Sequence, residues 1–122
     1  MEEIKNFFYK YCFDEEDYVE SDKIINKLLK NNNILFQDNK LDLHGLTCDE
    51  VYWILEYIKN YKRKEKLLLI TGLENNSKNK PIMDYYCVKE YRCKLHKYIT
   101  KYLIIERIKY KDYVYGIELN PS

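Results

Sequence analysis

Apolar residues recur at helical spacing in two segments near the N-terminus. The first segment is EEIKNFFYKYC, residues 2–12, and the second is ESDKIINKLLK, residues 20–30. The apolar stripes are Ile4, Phe7, Phe8 and Tyr11 in the first segment and Ile24, Ile25, Leu28 and Leu29 in the second. This spacing predicts two short helices, the second of them capped by Ser21.

A different pattern begins at Leu41, where LDLHGL alternates apolar and polar residues before a glycine. Successive side chains of a strand point to opposite faces, so the leucines can enter a core while Asp42 and His44 share the other face. The following TCDEVYWILEYIKNYK opens with a capping box of Thr47 and Glu50 and then repeats apolar residues with a helical period. KLLLITG comes next and is typical of a buried strand parallel to the first. The segment therefore predicts a β-α-β unit.

The C-terminal part of the chain predicts one more helix and two strands. After the polar loop LENNSKNK, Pro81 suits the first turn of a helix that reaches to about Lys101. The closing YLIIERIKYKDYVYGIELN predicts two strands around Lys111 and Asp112. We therefore predict an α/β fold: a two-layer β-α-β-α-β-β sheet of about four strands with two helices in residues 37–122, behind a helical N-terminal extension in residues 1–36.

Charge is segregated along the chain, although the formal net charge of the 122 residues is only +1. Residues 1–22 hold eight acids against two lysines, a net charge of −6, and residues 78–113 hold ten bases against four acids, a net charge of +6. The basic segment is a candidate polyanion-binding surface. A solvated lysine face, favoured by the general lysine content of the chain, is the alternative interpretation.

The N-terminus and the cysteines indicate a protein of the cytoplasm. The first twenty residues are acidic where a signal or transit peptide would be basic, and no apolar run is long enough to span a bilayer. The four cysteines are scattered and form no CxxC pair, so neither a zinc ribbon nor a disulfide scaffold is indicated. We expect no membrane partner, no metal and no cofactor.

An aspartate and a histidine on one face of a strand support three interpretations. The carboxylate can orient a histidine tautomer, the pair can perform acid–base chemistry near neutral pH, or the two side chains can simply hydrogen-bond at the strand end. Cleavage of RNA needs a base for the 2′-hydroxyl and donors for the phosphorane charge. His44 could be that base, oriented by Asp42, with amide groups at the helix start after Thr47 facing the phosphate.

The chain resembles the small MutS-related (Smr) domain in LDLHGLTCDE (residues 41–50), LLLITGLENNS (67–77) and the closing YGIELN (115–120). The family motif L-D-x-H-G is matched here by Asp42, His44 and Gly45. The second motif, [HT]-G-x-G followed by x-x-S, is matched by Thr71, Gly72 and Ser77. Glu74 occupies the second glycine position of that loop, where a carboxylate adds negative charge to a site expected to receive an anion.

The resemblance implies a two-layer α/β fold that binds RNA or branched DNA, in several members with endonuclease activity and often on mRNA at ribosomes. It implies Asp42 and His44 as catalytic residues of a metal-independent endoribonuclease, although Glu74 argues against full activity. The alternative is a ribosome- or protein-binding module without catalysis. The expected partners are ribosomal or ribosome-bound RNA and, through the N-terminal helices or Trp53, ribosomal proteins.

The predicted nucleic-acid-binding residues combine the motif loop with the basic segment. They are Gly45, Thr71, Gly72, Ser77, Lys78, Lys80, Arg92, Lys94 and Lys97. His96 lies at a polar position of the second helix and is predicted to be a surface residue. Trp53 lies off the apolar stripe of its helix, so either the N-terminal helices cover it or it anchors a protein partner.

Overall fold

The computed structural model describes residues 2–71, 94–113 and 116–121. Within these ranges the helices are α1 (Glu2–Tyr9), α2 (Glu15–Asn31), α3 (Cys48–Asn60) and α4 (Lys94–Ile105), with a short 3₁₀ turn at Gln37–Asn39. The strands are β1 (Lys40–Asp42), β2 (Leu67–Ile70), β3 (Tyr110–Asp112) and β4 (Gly116–Leu119). These elements confirm the predicted α/β class. No helix of the described part is both long and apolar enough to cross a bilayer.

The four strands form one mixed sheet in the order β1-β2-β4-β3. The predicted parallel pairing of β1 with β2 is confirmed, with Leu41 opposite Leu69 and Asp42 opposite Ile70. β4 is antiparallel to both of its neighbours, β2 and β3. Because β1 and β2 run in the same direction, their carboxyl ends lie at the same edge of the sheet. This edge, which we call the strand-end edge, carries Asp42, His44, Gly45 and Thr71, the motif residues that the structure describes.

One face of the sheet supports the hydrophobic core. Leu41, Leu69 and Ile117 occupy neighbouring positions of the register and are fully buried. They belong to a single cluster of buried residues that also takes in apolar side chains from all four helices. The opposite face, with Leu68 and Glu118, is half-buried. The two faces therefore differ as the alternating pattern of the strands requires.

The N-terminal helices pack into this same core. Ile4 and Phe8 of α1 and Leu28 of α2 are buried members of the cluster. The prediction that Ser21 caps the second helix is wrong, because α2 begins six residues earlier and Ser21 is buried within it. The actual N-cap is Asp14, whose side chain accepts a 2.9 Å hydrogen bond from the Asp17 amide. The division of the chain after residue 36 stays a prediction.

The predicted C-terminal helix and strands differ from the observed ones in their boundaries, and the predicted helix start at Pro81 lies outside the described residues. α4 continues to Ile105, and Lys111 and Asp112 lie inside β3 rather than between two strands. The helix ends in a Schellman motif, with the Ile108 amide donating to the Leu103 carbonyl at 2.9 Å and Arg107 at a φ of 57°. Glycine usually occupies this left-handed position, and an arginine there leaves no stop signal in the sequence.

A buried arginine fixes the edge of the sheet opposite to the strand-end edge. Arg63 precedes β2 and donates from Nη1 to the Ile58 carbonyl at the end of α3, at 2.9 Å. Its Nη2 donates to the carbonyl of Asn120, just after β4, at 3.1 Å. Burial lowers the pKa of the Arg63 guanidinium. These bonds join the helix end to the last strand.

Candidate functional site

Asp42 and His44 lie in direct contact at the strand-end edge. Asp42 Oδ1 accepts a 2.7 Å hydrogen bond from His44 Nδ1 and a 3.0 Å bond from the His44 amide. Because a carboxylate accepts, Nδ1 carries a proton, and in the corresponding neutral tautomer the lone pair is on Nε2. About 40% of the His44 side chain is exposed to solvent. The pair therefore has the geometry of a carboxylate-oriented base that solvent and solutes can reach.

Gly45 allows the chain to turn from β1 into α3. Its φ of +80° lies in the region that favours glycine, and the Leu46 amide closes the turn on the Leu43 carbonyl at 3.3 Å. A Cβ atom added at Gly45 would meet no heavy atom within 4 Å, apart from atoms of the two residues next to it in the chain. Gly45 is therefore required for its backbone conformation rather than for packing. The turn brings His44 to within a few residues of the helix start.

The start of α3 has the predicted capping box. Thr47 Oγ1 accepts from the Glu50 amide at 3.2 Å, and Glu50 Oε1 accepts from the Thr47 amide at 2.9 Å. Lys27 of α2 adds a 2.9 Å ion pair to the same carboxylate oxygen. Burial would raise the pKa of the Glu50 carboxyl, but the Thr47 amide and the Lys27 ammonium outweigh it and hold the pKa below its usual value. Glu50 is thus ionised and joins α2 to α3.

Two asparagines at the end of α2 hold the backbone of β1 in place. Asn32 accepts from the Asp42 amide through Oδ1 at 2.8 Å and donates to the Asp42 carbonyl through Nδ2 at 2.9 Å. Asn31 Nδ2 donates to the His44 carbonyl at 2.7 Å. Both residues of the Asp42–His44 pair therefore have their backbone fixed by side chains of α2. The pattern NNN in the sequence gave no hint of this role, because asparagine runs also occur in loops.

A second polar network lies at the strand-end edge, and its histidine was predicted wrongly. His96 of α4 is 1% exposed rather than on the surface. Its Nε2 donates to Asp112 Oδ1 at 2.7 Å, and its Nδ1 lies 3.0 Å from Thr71 Oγ1, which is the donor when the ring is in the matching neutral tautomer. Burial of an imidazole requires such partners. The signal that sequence reasoning missed is the spacing of His96, Ile99 and Leu103, which places all three on one helix face.

The two networks point to opposite faces of the sheet. Asp42 is paired with Ile70 in the register and shares its half-buried face. Thr71 is the next residue after Ile70, is 3% exposed and points to the core face, where His96 meets it. The structure therefore brings Asp42 and His44 together, and it places the Thr71 hydroxyl at the same edge but on the other side. Thr71 serves the buried network in this arrangement.

Lys94 lies beside the start of α3. A groove of about 410 Å³ is lined by Leu46, Thr47, Cys48 and Asp49 on one side and by Lys94 and Leu95 on the other. Lys94, Lys97 and Lys101 are exposed and follow one another at helical spacing, so they form one face of α4, which we call the lysine face. The backbone amides of a helix start and this row of ammonium groups both favour an anion. Asp49 is the opposing charge in the groove.

The remaining predicted site residues lie outside the described residues. They are Gly72, Ser77, Lys78, Lys80 and Arg92, together with Glu74 of the motif loop. Their proposed contacts with nucleic acid stay predictions. The part of the site that the structure describes thus consists of the Asp42–His44 pair, the turn at Gly45, the groove and the lysine face.

Trp53 is partly covered by the N-terminal helical region. Its ring lies 5.3 Å from the Tyr11 ring, centroid to centroid, and 5.5 Å from that of Tyr52. About 37% of the residue is exposed. Of the two predicted roles for Trp53, partial cover by the N-terminal region is confirmed, and a role as a partner anchor stays open on the exposed side.

The arrangement as a whole can bind an anion and accept a proton. His44 lies at the surface with its Nδ1 held by Asp42, and the groove that begins two residues further along the chain, at Leu46, combines a helix start with a lysine. These groups are those needed to hold a phosphodiester and to deprotonate a neighbouring hydroxyl. No family model matches the chain, and no curated protein or solved structure matches it either.

Proposed function

We propose that this chain is an RNA-binding protein with an Smr-like domain. The observation that carries the proposal is the 2.7 Å contact between Asp42 and His44 at the end of a parallel strand, directly before a glycine turn and a helix start. The β-α-β unit and the four-stranded sheet support an Smr-like arrangement. The resemblance to Smr domains supplies the class of ligand, ribosomal or ribosome-bound RNA.

The RNA-binding surface consists of the groove and the lysine face of α4. Lys94, Lys97 and Lys101 extend over seven residues of helix, or about 10 Å, which spans more than one nucleotide step of a single strand. Such a row contacts phosphates and gives affinity that depends strongly on salt. An RNA strand bound there passes the start of α3, which lies next to the turn that carries His44.

Reversing two charges on the lysine face tests RNA binding. We expect Lys94→Glu with Lys97→Glu to weaken binding of a labelled single-stranded RNA roughly tenfold at moderate salt, because two phosphate contacts become repulsive. The slope of log affinity against log salt should become shallower by about 1.4, the value for two contacts with a single strand. Fluorescence anisotropy at several salt concentrations measures both quantities.

The matched control carries the same change of net charge at the other end of the sheet. Lys62 and Lys64 are exposed and precede β2, far along the strand from its carboxyl end. Lys62→Glu with Lys64→Glu should lower the affinity less than threefold, an effect of net charge alone. If the two double variants lost RNA affinity equally, the lysine face would be only a solvated surface.

The Asp42–His44 pair has a separate test, in cleavage. We expect weak cleavage of single-stranded RNA by the native protein in the presence of a chelator, and a loss of roughly a hundredfold in His44→Ala, because the base is removed. Glu74→Gly should increase cleavage, since it removes a carboxylate from the motif loop. Product analysis on a denaturing gel follows each variant.

The outcomes of this test separate catalysis from binding. Cleavage that survives in His44→Ala would assign the chemistry to other residues. If no variant cleaves RNA while all of them bind it, the protein is a binding module without catalysis, and Asp42 and His44 shape the bound strand.

A further inference from the structure

Aromatic side chains cluster where the N-terminal helical region meets α3. Phe13, in the connection between α1 and α2, is 93% exposed, and Tyr11 is half exposed. Trp53 of α3 lies against Tyr11, and Tyr52 lies against Trp53. Exposed tryptophan and tyrosine side chains that cluster in this way are typical of protein-binding surfaces. The contacting rings of Tyr11, Trp53 and Tyr52, together with the exposed Phe13 two residues after Tyr11, are called the aromatic surface below.

A small cavity opens beneath this surface between α1, α2 and α3. Its volume is about 90 Å³, and Phe8 and Ile24 form its apolar wall. Tyr11 and Trp53 contribute aromatic rings, and Asp17 contributes a carboxylate. Asp17 Oδ2 also holds the Phe13 amide at 2.9 Å, which fixes the side chain in this position. Aromatic rings together with one carboxylate are the groups that surround a bound organic cation.

α2, the helix that contributes Asp17 to the cavity, begins with a run of acidic residues, which we call the acidic rim. Asp14, Glu15, Glu16 and Glu20 are exposed in and before the first turns of α2. They belong to the segment of residues 1–22, in which eight acids face two lysines. Such a rim attracts a basic partner and repels a nucleic acid.

We propose that the aromatic surface and its cavity bind a lysine- or arginine-rich segment of another protein. One cationic side chain of that segment enters the cavity, with its methylene stem against Tyr11 and Trp53 and its charge toward Asp17. Further basic residues lie along the acidic rim.

Charge complementarity favours this occupant over the others. A purely apolar segment would bury the rim carboxylates without compensation, which costs free energy. RNA would meet the same carboxylates with like charge. The protein therefore has two binding surfaces of opposite charge: a basic one for RNA at α4 and an acidic, aromatic one for a basic protein segment at α1, α2 and α3.

Trp53 makes the test direct, because it is the one tryptophan of the chain. The intact protein is titrated with an unlabelled synthetic peptide of lysine, alanine and leucine, and the Trp53 emission is recorded. We expect a saturable change of the emission with this peptide and none with the same peptide in which each lysine is replaced by glutamate. Asp17→Asn should weaken binding roughly five- to tenfold, because the amide keeps the bond to the Phe13 amide but lacks the charge.

Asp38→Asn provides the matched control, since it removes one exposed carboxylate in the 3₁₀ turn before β1. It should leave the peptide affinity within twofold of the native value. Equal binding of the lysine and glutamate peptides, or an unchanged affinity in Asp17→Asn, would overturn the proposal. A change of Trp53 emission with protein concentration alone would assign the cavity to a second copy of the chain and would also overturn it.

Discussion

Replacing Gly116 with alanine is expected to lower the free energy of unfolding by about 3 kcal/mol, which is near the upper end of the usual range for overpacked sites. Gly116 opens β4 opposite Ile70, and a Cβ atom there would overlap the backbone carbonyl oxygen of Leu69. A backbone atom in the middle of a sheet cannot move aside as a flexible side chain can. Relief would require β2 and β4 to separate, and this pairing holds the centre of the sheet.

Gly45→Ala is the control for this prediction. This substitution also adds a Cβ atom to a glycine, but the new atom would meet no heavy atom within 4 Å apart from those of the two adjacent residues. Its cost therefore comes only from the backbone conformation. We expect a loss of about 1 kcal/mol, the cost of a left-handed conformation for alanine. Urea unfolding monitored by circular dichroism measures both variants, and similar losses would contradict the steric explanation for Gly116.

Replacing His96 with alanine is expected to lower the free energy of unfolding by about 3 kcal/mol. The side chain is buried, and its removal leaves a cavity and takes one hydrogen-bond partner each from Thr71 and Asp112. A cavity and the loss of buried hydrogen bonds both destabilise the folded state. The network joins α4 to the ends of β2 and β3, so its loss affects three elements at once.

The second histidine of the chain provides the comparison. His44→Ala removes the same side chain from a position that is 40% exposed, so we expect a loss below about 1 kcal/mol. Thermal and urea unfolding should show a larger loss of stability in His96→Ala than in His44→Ala. If His96→Ala were as stable as His44→Ala, the buried network would contribute no net stability. The small effect of His44→Ala on folding also allows its effect on RNA cleavage to be interpreted as chemistry.

The sequence correctly predicted those parts of the site whose geometry is set by residues close together in the chain. The alternation in LDLHGL placed Asp42 and His44 on one face, and the glycine after them indicated the turn. The Thr47–Glu50 spacing predicted the capping box correctly. In each of these cases the structure depends on residues close together in the chain, and a strand or a helix start fixes their relative positions.

Long-range and unusual features could not be predicted in the same way. The contact of His96 with Thr71 and Asp112 joins three elements, and a polar residue on a helix was taken as exposed although its spacing matched the buried stripe. The extension of α4 past Lys101 was missed because the Schellman motif places Arg107 where glycine is expected. The true start of α2 was missed because its first two turns are acidic and carry no apolar stripe.

The bonds of Asn32 to Asp42 have a consequence for the behaviour of the protein in concentrated solution. β1 lies at the margin of the sheet, where unpaired amide and carbonyl groups would recruit a strand from another molecule. The side-chain amide of Asn32 offers one donor and one acceptor, as a peptide group does, and occupies both backbone groups of Asp42. It therefore ends the sheet by imitating one residue of a further strand, which protects the chain from aggregation through sheet extension at this margin.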